Sequence, residues 1–433
     1  MSQQEQIETG TTPPEVKEES APSRREQETM SSNEALARIR EGKEIKDARI
    51  ERLVFKGTFT EKIRLVNVTL VQPRFDGATF EAEVLMNHST IDRPHFGNQS
   101  TFNKGWDLTG STLKRWQMLR LTIRGLLQLE HTVVHGKFLI NQCKIELIRL
   151  WEARFHGWAE LKKSEFFENA DFRSFHADEG FVLYQCEFHK SVLFRGSAVH
   201  KKMDFTTSQF HGILDLSKMK LHDYVYMESI VLAEESRLAF GNIVGDRILI
   251  RPDQLDGRLL SEEKEDYLAA MHEYAFFKRV YETLHHYDRE DWAFYRFKVN
   301  QRRCCDRSWW KPWTKVGQFL DWLVLDHGCG YCTNPYRAIR TALLLILLFA
   351  LLYSVNIEVF EAQSNRPFDE KITTFRNRAM ISLFQSVAAF TSGLGGPSEM
   401  PSGWIGIPLM IEALLGLLLW GLFIVAFSRK VIR

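Results

Sequence analysis

Phe194 to Gly212 reads FRGSAVHKKMDFTTSQFHG, with apolar residues at Phe194, Val199, Phe205 and Phe210, spaced alternately by five and six positions. An amphipathic helix repeats every 3.6 residues and a half-buried strand every second residue, and neither period gives this spacing. Followed in both directions at a step of eleven, the pattern takes in Leu139, Leu150, Leu161, Phe172, Leu183, Phe194, Phe205, Leu216 and Met227. A second series runs through Phe155, Phe166, Ala177, Phe188, Val199, Phe210, Leu221 and Leu232. Both are apolar at every step, and a fainter trace precedes them in Phe80, Ile91, Phe102 and Leu113. A beat held this long implies stacked coils, each inward side chain resting on its counterpart in the next coil. The expected fold of residues 48–255 is therefore a β-solenoid.

The quoted segment resembles degenerate pentapeptide repeats, and the resemblance extends from Ile50 to Leu232. It implies a right-handed β-helix with Leu or Phe pointing inward. The alternation of five and six and the frequent Phe depart from the family pattern. His156, His189, His200, His211 and His222 each follow a member of the second series by one position, so they should point outward, with alternate ones stacked. Stacked imidazoles can bind a metal or respond to pH. No acidic or cysteine ligand is seen to recur beside them to complete a site, and His131, His135 and His176 lie off the series. A solvated surface is the expected role, and no metal site is assigned.

The chain of 433 residues is 44% apolar and nearly neutral, with 56 Lys and Arg against 55 Asp and Glu. That balance gives no reason to expect a nucleic-acid partner. Residues 1–34, rich in Gln, Glu, Thr, Ser and Pro, are expected to be a disordered tail. No basic start followed by an apolar core marks a secretory signal, so the N-terminal part is expected in the cytoplasm. Six cysteines over this length are not a disulfide framework. Reduced thiols are expected, including Cys304, Cys305, Cys329 and Cys332.

From 261 to 303 the period becomes helical. Ser261 followed by Glu262, Glu263 and Glu265 reads as an N-cap, and Tyr267, Met271, Tyr274, Phe277, Tyr281 and Leu284 form one apolar stripe. With Trp292, Tyr295 and Val299 continuing it, this predicts a helical hairpin docked on the solenoid. Over 308–327, Trp309, Trp310 and Trp313 lie among basic residues and precede Val316, Phe319, Leu320 and Leu323, the pattern of an amphipathic helix on a membrane surface.

The remaining segment, 337–433, carries two apolar spans, 338–358 and 404–427, each long enough to cross a bilayer core of ~30 Å. Arg337 and Arg340 precede the first, and Arg429, Lys430 and Arg433 follow the second. The positive-inside rule then predicts a multi-pass cell-membrane protein with both termini cytoplasmic. Between the spans, 377–390 is too short to cross but long enough for a helix entering halfway, and it runs into Thr391, Ser392, Gly393, Leu394, Gly395 and Gly396. Irregular backbone at membrane depth requires burial in protein or contact with water, and the C-terminus of a half-helix favours cations. An aqueous cation path is the expectation. Gly416 and Gly421 would let the second span bend, and Glu412 is its only acidic residue within the apolar stretch.

FTSGLGGP resembles the TVGYG-type filter of potassium channels, keeping Thr391, Gly393 and Gly395, with Ser392 for Val, Leu394 for the aromatic and Gly396 for the acidic residue. The whole layout is similar to pentapeptide-repeat proteins fused to a two-span ion channel module. This resemblance implies a homotetrameric cation channel conducting K⁺ or another monovalent cation, with no further cofactor and a solenoid that senses a cytoplasmic protein or ligand. The filter substitutions favour an alternative, a membrane-anchored interaction scaffold that does not conduct. No nucleophile with a nearby base and no phosphate loop appears, so an enzyme is not expected.

Overall fold

The computed structural model describes residues 27–97, 99–304, 316–319, 321–355, 375–392, 404 and 406–432. Its N-terminal part is a parallel β-solenoid of about 10 turns. One coil takes two of the eleven-residue beats: Ala170 pairs with Val192 and Val192 with Leu214, while Phe181 pairs with Met203 and Met203 with Val225. Earlier coils vary: they are one residue shorter in pairings such as Ile63 with Val84 and Val133 with Arg154, and of full length where Thr90 pairs with Thr112. The coil that carries Phe138 onto Ala159 is still one residue short, and the full two-beat repeat is regular only from the pairing of Ile148 with Ala170 onward. For this reason Leu139, at the head of the first series, is only half-buried, and its neighbour Ile140 pairs with Leu161 and fills the interior instead. The later members of that series, from Leu150 to Met227, are buried.

The interior is built from stacked aromatic rings. Phe166, Phe188 and Phe210 lie nearly parallel, with centroids 4.7 and 5.2 Å apart. Phe59, Phe80 and Phe102 form a comparable stack in the early coils. Coil corners carry left-handed residues in columns: Arg120, Gln142, Lys163, Gln185 and Thr207 form one, and His131, Glu152, Ser174, Gly196 and Lys218 another. At a third position small side chains turn inward, where Cys143, Ser164, Cys186 and Ser208 occupy one column and bond to neighbouring backbone. Burial pushes the Cys143 thiol up to about 11 and the Cys186 thiol up to about 12, so both are inert packing groups.

Both ends of the solenoid are capped. Glu28–Met30 forms a strand on Ala48–Ile50, and the helix Ser32–Arg40 buries Ala35 and Ile39 over the first coils. Ordered structure therefore begins inside the segment expected as a tail, because a solenoid end needs a cover for its open edge. At the other end lies the expected hairpin, Tyr267–Thr283 and Tyr287–Cys304, with Tyr274, Phe277 and Tyr281 buried. Its first helix is capped by Asp266, whose side chain accepts from the Ala269 amide. Ser261 is not the cap: it lies in the short helix Leu260–Glu263 and its hydroxyl bonds the buried carboxyl of Glu273. Glu273 also accepts from the Phe240 amide at 2.8 Å, and Tyr281 donates to the Ile250 carbonyl at 3.0 Å, which keys the hairpin to the last coils.

Candidate functional site

Two helices, Pro335–Val355 and Gly406–Val431, are long and apolar enough to cross a bilayer. A core helix of a soluble protein would be mostly covered by its own chain, but here only 22% and 28% of their most apolar windows are buried. Leu343, Leu347 and Leu351 on the first and Leu414, Leu417 and Ile424 on the second stand exposed.

A third helix, Phe375–Ser392, packs against both. Its anchor is Glu412, which is fully buried. The Glu412 carboxyl bonds the Tyr353 hydroxyl at 2.6 Å and the Ser386 hydroxyl, joining all three helices at one point. Ser386 also lies 2.9 Å from the Ile346 carbonyl. The observed partners of Glu412 are thus side chains, one on the first span and one on the short helix. Gly416 lies against the end of the short helix, where a Cβ would stand 2.3 Å from the Phe390 carbonyl oxygen; one at Gly421 would meet nothing within 4 Å. Thr391 and Ser392 complete the last helical turn, with the Thr391 hydroxyl on the Val387 carbonyl at 2.7 Å. The helix thus ends two residues beyond the expected stop. Gly393, Leu394, Gly395 and Gly396 lie outside the described residues.

The second hairpin helix, Tyr287–Cys304, meets both spans. Arg429, at the exit of the second span, pairs with Asp291 at 2.9 Å and Glu290 at 3.4 Å. Arg302 pairs at 2.7 Å with Asp326, which also accepts from the Tyr295 hydroxyl at 2.8 Å. Asp326 belongs to a π-helical turn, Asp321–Gly328, that leads into the first span. Trp309, Trp310, Trp313 and Leu320 of the expected amphipathic helix lie outside the described residues, while Val316, Phe319 and Leu323 are exposed. Cys329 and Cys332 face each other with sulfurs 3.7 Å apart, and the hydrogen bond from Cys332 lowers the Cys329 thiol to about 7. Cys304 is exposed, and Cys305 lies outside the described residues.

The solenoid surface carries two histidine ladders. In one column His135 stacks on His156 and His200 on His222, with Asp178 at the level between the two pairs. His176 sits beside Asp178 and reaches His200. Desolvation first, then the neighbouring His200, pushes His176 below its ordinary value. In the second column Phe167, His189 and His211 stack, flanked by Glu165 and Glu187. Acidic partners are therefore present, contrary to the sequence reading. They escaped it because Asp178 replaces an imidazole within its own column and the two Glu side chains come from the position before the inward residue. His135 also belongs to the first ladder, since its coil is one residue shorter.

No protein-family model, curated protein or solved structure matches the chain.

Proposed function

We propose that the chain is the subunit of a tetrameric cation channel, conducting K⁺ or another monovalent cation, with a cytoplasmic solenoid that receives a signal. The observation that supports this reading most is the short helix Phe375–Ser392, held between two bilayer-length helices by Glu412 and running directly into Gly393–Gly396. A simple two-helix anchor has no use for such an insert. Met380, Phe384 and Val387, at helical spacing along it, are exposed in the single chain. Apolar residues left open on a helix packed between two such spans are naturally covered by neighbouring copies around an axis. The four subunits would then bring four glycine-rich turns together, each presenting carbonyl oxygens to the ion. Basic residues at Arg337, Arg340, Arg429 and Lys430 support cytoplasmic termini.

Leu394 and Gly396, where potassium filters carry an aromatic and an acidic residue, favour a second reading, a membrane-anchored scaffold that does not conduct. Reconstitution into liposomes separates the two. A channel discharges a K⁺ gradient, and replacing Gly393 or Gly395 by Val abolishes flux while leaving insertion intact. Vesicles that stay tight with the unaltered protein select the scaffold, and flux that survives both substitutions removes the filter assignment.

A further inference from the structure

We propose that the solenoid binds a divalent transition-metal ion of the zinc class through His176, Asp178 and His200. Their ligand atoms lie within 4.8 Å of one another and are accessible from solvent. His176 Nε2 stands 3.1 Å from His200 Nε2 and 3.4 Å from Asp178 Oδ1. Metal–ligand bonds of ~2.0–2.1 Å at tetrahedral angles separate neighbouring ligand atoms by about 3.3 Å, so both distances fit edges of one coordination polyhedron. Three protein ligands leave the fourth position to water.

The surrounding groups fix these three in place. Asp178 spends its other oxygen, Oδ2, on His156 Nδ1 at 2.6 Å, which orients the carboxylate with Oδ1 toward His176. His222 stacks on His200 with centroids 4.7 Å apart and planes 7° from parallel, setting the direction of the His200 ring. Such outer partners are what a metal ligand needs to hold its angle. The backbone registers Arg154 to His176 to Ala198 and Phe155 to Ala177 to Val199 are continuous parallel pairings, so the two coils cannot spread. The ion would clamp one coil to the next, with His176 and Asp178 from one and His200 from its successor. Glu187, His189 and His211 on the other sheet form a less regular trio: His211 Nε2 lies 3.3 Å from Glu187 Oε1, but His189 Nε2 lies 3.9 Å from it and nearer, at 3.3 Å, to Glu165.

The site stands on the solenoid alone, so its failure and that of the channel reading are separate results. The test is titration of the tag-free, full-length protein in detergent with Co²⁺, followed by displacement with Zn²⁺. The expected result is one equivalent with the visible absorption of a four-coordinate ion, lost on adding Zn²⁺. His176→Gln and His200→Gln should each weaken that equivalent at least ~10-fold. Zn²⁺ should also raise the melting temperature of the unaltered protein but not of these variants. Their side chains are exposed and far-UV circular dichroism checks their fold. His189→Gln with His211→Gln should leave the equivalent in place. Absence of binding, unchanged binding in His200→Gln, or loss confined to the His189/His211 variant would overturn the assignment, leaving His176 and His200 as an ordinary imidazole hydrogen bond.

Discussion

Gly416 and Gly421 lie in one continuous helix, Gly406–Val431, yet their surroundings differ so much that the same substitution should act in opposite directions. A Cβ on Gly416 would stand 2.3 Å from the Phe390 carbonyl oxygen and 3.1 Å from its carbonyl carbon and Cα. An ordinary carbon–oxygen contact needs about 3.3 Å, so the end of the short helix must retreat by about 1 Å. The obstacle is backbone, which no rotamer change can relieve. Overpacking of this kind costs about 1–3 kcal/mol, while replacing Gly by Ala within a helix returns about 1 kcal/mol. Gly416→Ala is therefore neutral to destabilising by about 2 kcal/mol, and Gly421→Ala, with nothing near its Cβ, is stabilising by about 1 kcal/mol. Thermal unfolding of both variants in detergent measures the contrast, and under the channel reading cation flux in liposomes reads whether the displaced helix end disturbs the proposed path. If Gly421→Ala lowers the melting temperature as much as Gly416→Ala, the packing argument is refuted. If both leave the melting temperature alone but slow the flux, bending at the two glycines governs instead.

Glu412→Ala removes the hydrogen bonds that Tyr353 and Ser386 share with its buried carboxyl and should cost about 1–3 kcal/mol, whereas Glu412→Gln should lose less; equal melting temperatures would contradict the anchor role. Phe188, fully buried between Phe166 and Phe210, should cost about 3–5 kcal/mol on truncation to Ala, and denaturant unfolding of the solenoid showing less than about 1 kcal/mol would count against the ring column. Mild oxidation should join Cys329 to Cys332, seen by mass spectrometry as a reducible loss of two hydrogens, while Cys143 and Cys186 stay reduced. Burial raises the Glu273 carboxyl above 4.5, so its proton is held more tightly folded than unfolded. Its contribution to stability is then greatest below that pH and is lost as pH rises through the folded value. The melting temperature of Glu273→Gln relative to the unaltered protein should accordingly climb between pH 4.5 and 7, and a flat difference would exclude this.

The solenoid was legible because its interior repeats in side-chain chemistry: a column of Phe, Leu and Val survives inspection at a fixed step. Its corners were not. Lys163, Gln185, Thr207, Glu152 and Lys218 adopt left-handed backbone without being Gly or Asn, since the stacked coils impose a conformation that the residue type does not announce. The capping strand Glu28–Met30 was likewise hidden in a polar segment, because one strand laid on an existing edge needs only backbone hydrogen bonds. In the membrane half, composition located the two long helices and the insert between them. It singled out Glu412 but not its partners, since Tyr353 and Ser386 are 59 and 26 residues away and no period links them. The histidine ladders fall between these cases: the stacking followed from the beat, and the acidic partners required the true coil length.

Under the channel reading, a signal on the solenoid has a defined mechanical exit. Stacked coils contact only their neighbours, so a ligand that stiffens two of them acts elsewhere through the end of the stack. That end is keyed to the hairpin by Tyr281 on Ile250, Glu273 on Phe240, and Arg289 on Glu228 at 2.6 Å. The second hairpin helix then holds both spans, through Asp291 on Arg429 and Arg302 on Asp326. Because one rigid helix grips the exit of the second span and the approach to the first, its displacement should carry both ends together instead of prying them apart. The short helix, bound to both spans through Glu412, would move with them as one body relative to the neighbouring subunits. Gating by this route therefore changes contacts between subunits and leaves the Glu412 junction intact. A disulfide engineered across that junction should spare gating, whereas one engineered between subunits should arrest it.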